Sequence, residues 1–258
     1  MIKRVLTACV LAPAAVLTIL QAPVWLFYLL VALVACGCFI EFHRLALHHG
    51  AGFPPVVGLA AGLAILISPL DQGFLAAILG ALAVMSLALR NRDLAAVLPQ
   101  AASFSLGLLY CFATWRCGIG LREIGPHWLL FALALNWIAD SFAYLGGRAM
   151  GRHKMAPRLS PAKTWEGAAW SVAGAVLFGW LFLRYYAPER ALAEVLLLSI
   201  GANAAGQLGD LVESALKRGA GVKDSGDILP GHGGWLDRMD SSLFAMPLVY
   251  VWLTRWHH

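Results

Sequence analysis

Two stretches of this chain gather side chains whose types and spacing could do chemistry. The first runs from Asn136 to Gly167 and holds Asn136, Asp140, Ser141, Tyr144, Arg148, Arg152, Lys154, Ser160, Lys163, Thr164 and Glu166. Asn136, Asp140 and Tyr144 are spaced i, i+4, i+8, which puts them on one face of a helix. The second runs from Asn203 to Asp240. Asn203, Gln207, Asp210, Ser214 and Lys217 recur at intervals of 4, 3, 4 and 3, a polar stripe along an otherwise apolar helix. Beyond Lys217 and Arg218 come Lys223-Asp224 and then Pro230-Gly-His-Gly-Gly-Trp-Leu-Asp-Arg-Met-Asp240. Pro230, Gly231, Gly233 and Gly234 interrupt regular structure and let backbone amides come close to a ligand. Asp237 and Asp240 are i, i+3 at the start of the last apolar run, so their carboxylates can converge. Paired carboxylates flanked by lysines and arginines suit a hard divalent cation that holds phosphate oxygens.

Plainer roles compete at each position. Asp140 lies near a helix end, where a carboxylate can pack or cap. The stripe from Asn203 to Lys217 can be a polar seam between helices, although a seam needs neither Asp210 nor Lys217. Asp237 and Asp240 can cap a helix N-terminus. His232, set among glycines, suits a loop or hydrogen-bonding role at least as well as that of a proton acceptor. The five cysteines all sit in or beside apolar runs. Cys36 and Cys38 would point about 200° apart on a helix, so they read as small hydrophobes and not as metal ligands.

The elements that must position these residues are set by composition. Sixty per cent of the chain is apolar and 13% charged, against roughly a quarter charged in soluble domains. Lipid must therefore be the solvent for most of it. Nine runs are apolar and long enough to suggest spanning helices, near residues 5–21, 23–40, 53–69, 73–90, 101–120, 127–147, 167–186, 191–209 and 242–256. The first two are parted only by Gln21, Ala22 and Pro23 and form a tight hairpin; the last is short and carries Pro247. The first run follows Lys3 and Arg4, and another follows at once, so it reads as a retained anchor and not as a cleaved signal. The expected fold is an all-α polytopic membrane protein of about nine transmembrane helices, with a polar site built from the C-terminal half. Residues 1–258 form a single integral membrane domain, with hydrophobic helices over 1–120 and catalytic helices and cytoplasmic loops over 127–258. With the N-terminus inside, 14 of the 19 lysines and arginines fall on the cytoplasmic side and 5 on the other. Both polar stretches then face the cytosol.

The run from Ser214 to Asp240 resembles the signature of the phosphatidate cytidylyltransferase family, the CDP-diacylglycerol synthases. The match spans 27 residues: Ser-Ala-Leu-Lys-Arg, four residues, Lys-Asp, then Pro-Gly-His-Gly-Gly-Trp-Leu-Asp-Arg-Met-Asp. Asp140-Ser-Phe-Ala-Tyr144, Gly147-Arg148, Gly151-Arg152 and Ser160-Pro-Ala-Lys163-Thr-Trp-Glu166-Gly167 are similar to the family's second motif. Ser141 stands where the family has threonine, keeping the hydroxyl, and Arg152 where lysine is common, keeping the charge but changing the donor geometry. In the first hundred residues only hydrophobicity matches.

The resemblance implies a metal site of Asp210, Asp237 and Asp240. It implies a catalytic group of Ser214, Lys217, Arg218, Lys223, Asp224 and Arg238. Asp140, Tyr144, Arg148, Lys154, Ser160, Lys163, Thr164, Glu166, His232, Gly233 and Gly234 would bind substrate and its phosphates. It also implies magnesium, with a monovalent cation such as K+ as an optional second ion. CTP, phosphatidic acid and membrane lipid are the implied partners, in a homodimer of a bacterial inner membrane; no nucleic acid is expected. The implied reaction transfers CMP from CTP to phosphatidic acid. A CTP-dependent lipid kinase of the dolichol or phytol type would share the substrates but move the γ-phosphoryl group. CDP-alcohol phosphatidyltransferases carry an Asp-Gly-x-x-Ala-Arg motif that this chain lacks. A transporter would show broken helices in two related halves, whereas here the polar groups crowd into the C-terminal half.

Overall fold

A computed structural model describes residues 2–89, 93–228 and 233–255, with side chains for all of these except 2–11, 70 and 71. Among the described residues there are ten α-helices: α1 (Ile2–Gln21), α2 (Val24–His48), α3 (Pro55–Ile67), α4 (Leu70–Ala88), α5 (Val97–Gly107), α6 (Thr114–Ile124), α7 (Pro126–Met150), α8 (Trp165–Tyr186), α9 (Leu192–Gly219) and α10 (Leu236–Arg255). A π-helical turn, Leu108–Ala113, joins α5 to α6 without a break. Among the described residues, each of the nine apolar runs is mostly helical. Five helical stretches are long and apolar enough to cross a bilayer: Val24–His48, Leu94–Ile124, Pro126–Met150, Trp165–Tyr186 and Leu192–Gly219. Ala12–Gln21, Pro55–Ile67 and Gln72–Ala88 are apolar but shorter. The 13 residues of α3 rise only ~20 Å, against ~30 Å of hydrocarbon. The protein is thus an all-α membrane protein to which one small element is added, the hairpin β1 (Lys154–Ala156) and β2 (Ser160–Thr164).

The chain divides into two compact units. One comprises residues 1–119 with 216–239. Its core is aromatic: Phe39 lies 5.7 Å from Phe53 and 5.3 Å from Phe112, and Phe53 lies 5.4 Å from Phe104, between ring centroids. Gly58 and Gly62, one turn apart on α3, pack directly against the rings of Phe39 and Phe112, where a β-carbon would collide. Lipid is as apolar as phenylalanine, so such helices associate by close packing through small residues and not by expelling water.

The other unit comprises residues 120–215 with 240–258. Here α7 and α8 pack along their length through glycines. Gly146 packs against Trp170, and a β-carbon would lie 2.5 Å from the Phe142 ring at Gly174 and 3.0 Å from the Ala143 carbonyl oxygen at Gly167. At the far end of this pair, Arg190 ion-pairs with Glu194 and lies 5.3 Å over the Trp128 ring, while His127 stacks on Tyr186. Aromatic and arginine side chains of this kind settle at a membrane–water boundary. Pro247 does not end α10, in keeping with the tolerance of proline in membrane helices.

Candidate active site

Residues 216–239, most of the run that resembles the family signature, belong to the first unit. α9 ends in a tight reversal: the Val222 N–H donates to the Lys217 carbonyl at 2.9 Å and the Gly221 N–H to the Arg218 carbonyl at 3.1 Å. Gly221 sits at φ +72°, the left-handed cap that glycine supplies at least cost. Lys217 is thereby fixed in the last turn of α9, and its Nζ lies 2.5 Å from Asp237 Oδ1. The other oxygen, Oδ2, accepts from the Ser225 N–H at 2.9 Å, the Ser225 hydroxyl at 2.9 Å and the Gly234 N–H at 2.8 Å. Gly233, at φ +76°, leaves no room for a side chain, since a β-carbon would lie 2.5 Å from Asp237 Oδ2.

The capping role open to Asp237 is filled by another residue. α10 begins at Leu236, and its first free amides donate to Glu41: Trp235 N–H to Oε1 at 3.0 Å and Leu236 N–H to Oε2 at 2.9 Å. Glu41 is fully buried on α2 and the sequence reading passed over it. Its signal was present, because a carboxylate inside a membrane helix calls for a partner. It stands just past the apolar run 23–40, whereas α2 continues to His48.

In the second unit the polar stripe of α9 divides into two functions. Its upper part is a seam: Asn203 donates to the Ser171 hydroxyl on α8 at 2.9 Å, and Gln207 to Asn203 Oδ1 at 2.7 Å. Asn136, buried on α7, donates to the Ala132 carbonyl at 2.9 Å and packs against Gly206. The lower part is charged. Asp210 Oδ2 lies 2.5 Å from the Lys163 Nζ, and the Ser214 hydroxyl donates to Oδ1 at 3.4 Å. Gly209 would bring a β-carbon within 2.5 Å of the Asp240 carbonyl, so the Asp240 backbone lies against α9 one residue before Asp210. Asp240 Oδ1 accepts from the Ser241 N–H at 2.6 Å.

The hairpin between α7 and α8 presents cations. Arg148, Arg152, Lys154 and Arg158 are exposed around it, and Arg148 reaches the exposed Tyr144 hydroxyl at 3.5 Å. Two residues of the expected substrate site, Thr164 and Glu166, make hydrogen bonds within its frame. The Thr164 hydroxyl accepts from the Gly167 N–H at 3.2 Å. Glu166 accepts from the Arg152 N–H at 3.1 Å and the His153 N–H at 3.2 Å, and pairs with the His153 ring at 2.6 Å. Asp140 is exposed toward the end of α7, and Ser160 lies half-buried in β2. Lys223, Asp224, Arg218 and Arg238 are exposed. His232, with Pro230 and Gly231, lies outside the described residues.

Among the described residues no three His, Cys, Asp or Glu side chains converge on one point. The donors are nevertheless of the right kind. Magnesium is commonly held by one or two carboxylates together with substrate phosphates and water, not by an all-protein cage. Asp210, Asp237 and Asp240 offer oxygen only, and Lys163 and Lys217 already show that Asp210 and Asp237 attract cations.

A profile described as the cytidylyltransferase family matches residues 2–256. A protein named phosphatidate cytidylyltransferase from Staphylococcus saprophyticus is 42% identical over 161 residues, which is 62% of this chain and 59% of that protein. One of the same name from Staphylococcus aureus is 40% identical over 162 residues, again 62% and 59%. With its namesake from Staphylococcus epidermidis the identity is 35% over 243 residues, 88% of each chain. The matched part is thus under two thirds of the first two relatives' length and most of the third's. With a family profile spanning nearly every residue and a relative aligned over most of both lengths, this chain belongs to the cytidylyltransferase family.

Proposed function

We propose that this protein is a phosphatidate cytidylyltransferase that transfers CMP from CTP to phosphatidic acid, giving CDP-diacylglycerol and pyrophosphate. The observation that carries this reading is the pinning of Lys217 and Asp237 by a glycine-rich loop at the end of a membrane helix. That loop is the family signature.

In the reaction a phosphate oxygen of phosphatidic acid attacks the α-phosphorus of CTP. The new P–O bond forms as the bond to the β-phosphate oxygen breaks, and pyrophosphate leaves with that electron pair. A phosphomonoester has a second pKa near ~6, so the nucleophile is largely anionic at neutral pH and no strong base is needed. The difficulty is bringing two polyanions together, so the protein's work is positioning and charge neutralisation. Lys163, Lys217, Arg218 and Lys223 supply positive charge near the phosphates, and Arg148, Arg152 and Lys154 draw anionic substrate to the hairpin. Asp210, Asp237 and Asp240 are the residues that would hold magnesium, which when bound neutralises phosphate oxygens. The reading extends to a homodimer in a bacterial inner membrane, crossing nine times with both polar loops cytosolic.

The test is purified protein with phosphatidic acid, magnesium and CTP labelled at the α or the γ phosphate. Label from the α position should enter lipid, with one pyrophosphate released per lipid. Transfer of γ label instead would make this a lipid kinase.

A further inference from the structure

The mechanism above makes no use of Glu41, although it is the most completely enclosed acid in the first unit. Its carboxylate binds three groups of the signature segment, which lies some 190 residues on in the chain. Oε1 accepts from Trp235 N–H at 3.0 Å, while Oε2 accepts from Leu236 N–H at 2.9 Å and from the Ser225 hydroxyl at 2.8 Å. The Ser225 oxygen also lies 2.9 Å from Asp237 Oδ2. One hydroxyl proton serves one carboxylate at a time, so Ser225 links Glu41 to Asp237 as a shared contact. Two glycines close the loop around the same carboxylate. A β-carbon at Gly226 would lie 2.6 Å from Glu41 Oε1, and one at Gly234 would collide with Oε2. The loop is therefore wrapped on a single acidic group anchored in the membrane helix α2.

We propose that Glu41 is a positioning residue for CMP transfer: from α2 it holds Ser225 and the start of α10 in the register that aims Asp237. The inference rests on the functional reading above. A carboxylate is needed because all three contacts are donors. Glutamine offers one carbonyl and one NH2, so in Glu41→Gln an NH2 must face either the Trp235 or the Leu236 amide, donor against donor. A loop that can shift by a fraction of an ångström loses the alignment on which positioning depends.

The experiment uses the full-length protein in lipid nanodiscs, with kcat normalised to folded, monodisperse protein. Glu41→Gln should lower kcat by about 10- to 100-fold, as losses in the supporting shell of a site do, with a much smaller change in the KM for CTP. Hydrogen–deuterium exchange, measured without nucleotide or magnesium, should become severalfold faster in peptides covering residues 233–240 and stay unchanged in α7 and α8. Gly226→Ala provides a second perturbation. Its added methyl meets the Glu41 side chain first, and it should shift both readouts in the same direction by less. If Glu41→Gln does not fold, Gly226→Ala decides. Normal kcat with faster exchange, or lower kcat with unchanged exchange, would each overturn the proposal, as would normal values of both. A wild-type chain that moves no CMP would overturn the proposed function instead, and the exchange comparison would still decide whether Glu41 holds the loop.

Discussion

The carboxylate of Asp237 accepts from the Lys217 ammonium, from the Ser225 and Gly234 amides and from the Ser225 hydroxyl. Burial alone would push this carboxyl up, but the Lys217 ammonium and the Gly234 and Ser225 N–H groups outweigh burial and hold it below its ordinary range. A carboxyl whose folded value is depressed contributes stability above its unfolded pKa, ~3.9, and loses it as pH falls through the folded value. Replacing Lys217 with alanine removes the largest of the contributions that oppose burial, so the carboxyl should rise and the acid midpoint of unfolding should move to higher pH. The side chains of Lys217 and Asp237 are 11% and 5% exposed, and breaking so enclosed a pair costs ~3–5 kcal/mol. Lys163 and Asp210 are 25% and 28% exposed, and solvent screening brings such a pair down to ~1 kcal/mol or less. Denaturant unfolding in micelles should therefore rank Lys217→Ala as far more destabilised than Lys163→Ala, while both lose activity. Asp210→Asn and Asp240→Asn should remove most CMP transfer and leave folding intact, because a hard cation needs the negative charge they lose. Near-normal turnover and unchanged magnesium dependence in either variant would remove that residue from the metal site.

At the scale of elements, two local devices do the positioning. The left-handed Gly233 turn is one. Alanine there meets a backbone penalty of ~1–2 kcal/mol and pushes on Asp237 Oδ2, so Gly233→Ala should lose activity out of proportion to its lowered melting temperature. The hairpin is the other. Glu166 ties Arg152 and His153 to the start of α8, so Glu166→Gln should loosen the turn that displays Arg152, Lys154 and Arg158. A rise in the KM for CTP or phosphatidic acid, with proteolysis appearing near Arg158, is the expected result. The two strands were not legible beforehand because three and five residues give too little periodicity. Pro157 and Pro161 also read more readily as loop. The α9 stripe was legible as a stripe. That Asn203 and Gln207 are seam while Asp210 meets Lys163 and Ser214 depends on what faces them, and spacing carries no record of it.

For the whole molecule, the proposed orientation, which follows the cation count, puts both polar loops in the cytosol. In a background without native cysteines, Arg158→Cys and Asp227→Cys should resist an impermeant thiol reagent in sealed right-side-out cells and react once the membrane is opened. Asp227 is exposed, whereas Gly226 backs onto Glu41 and would confuse labelling with damage. Rapid labelling of either cysteine in sealed cells would reverse the orientation.

Membrane residence, helical class, the approximate place of each apolar run and the two polar stretches were all legible in the sequence. Each of these is written locally, as a length of apolar side chains or a motif of neighbouring residues. Contacts between distant residues decided the rest. The α10 amides could have been capped by Asp237, which is adjacent in sequence, but Glu41 caps them and leaves Asp237 to Lys217. A buried amide or ammonium takes whichever oxygen the packing of helices brings within reach, and only the folded chain specifies which one that is.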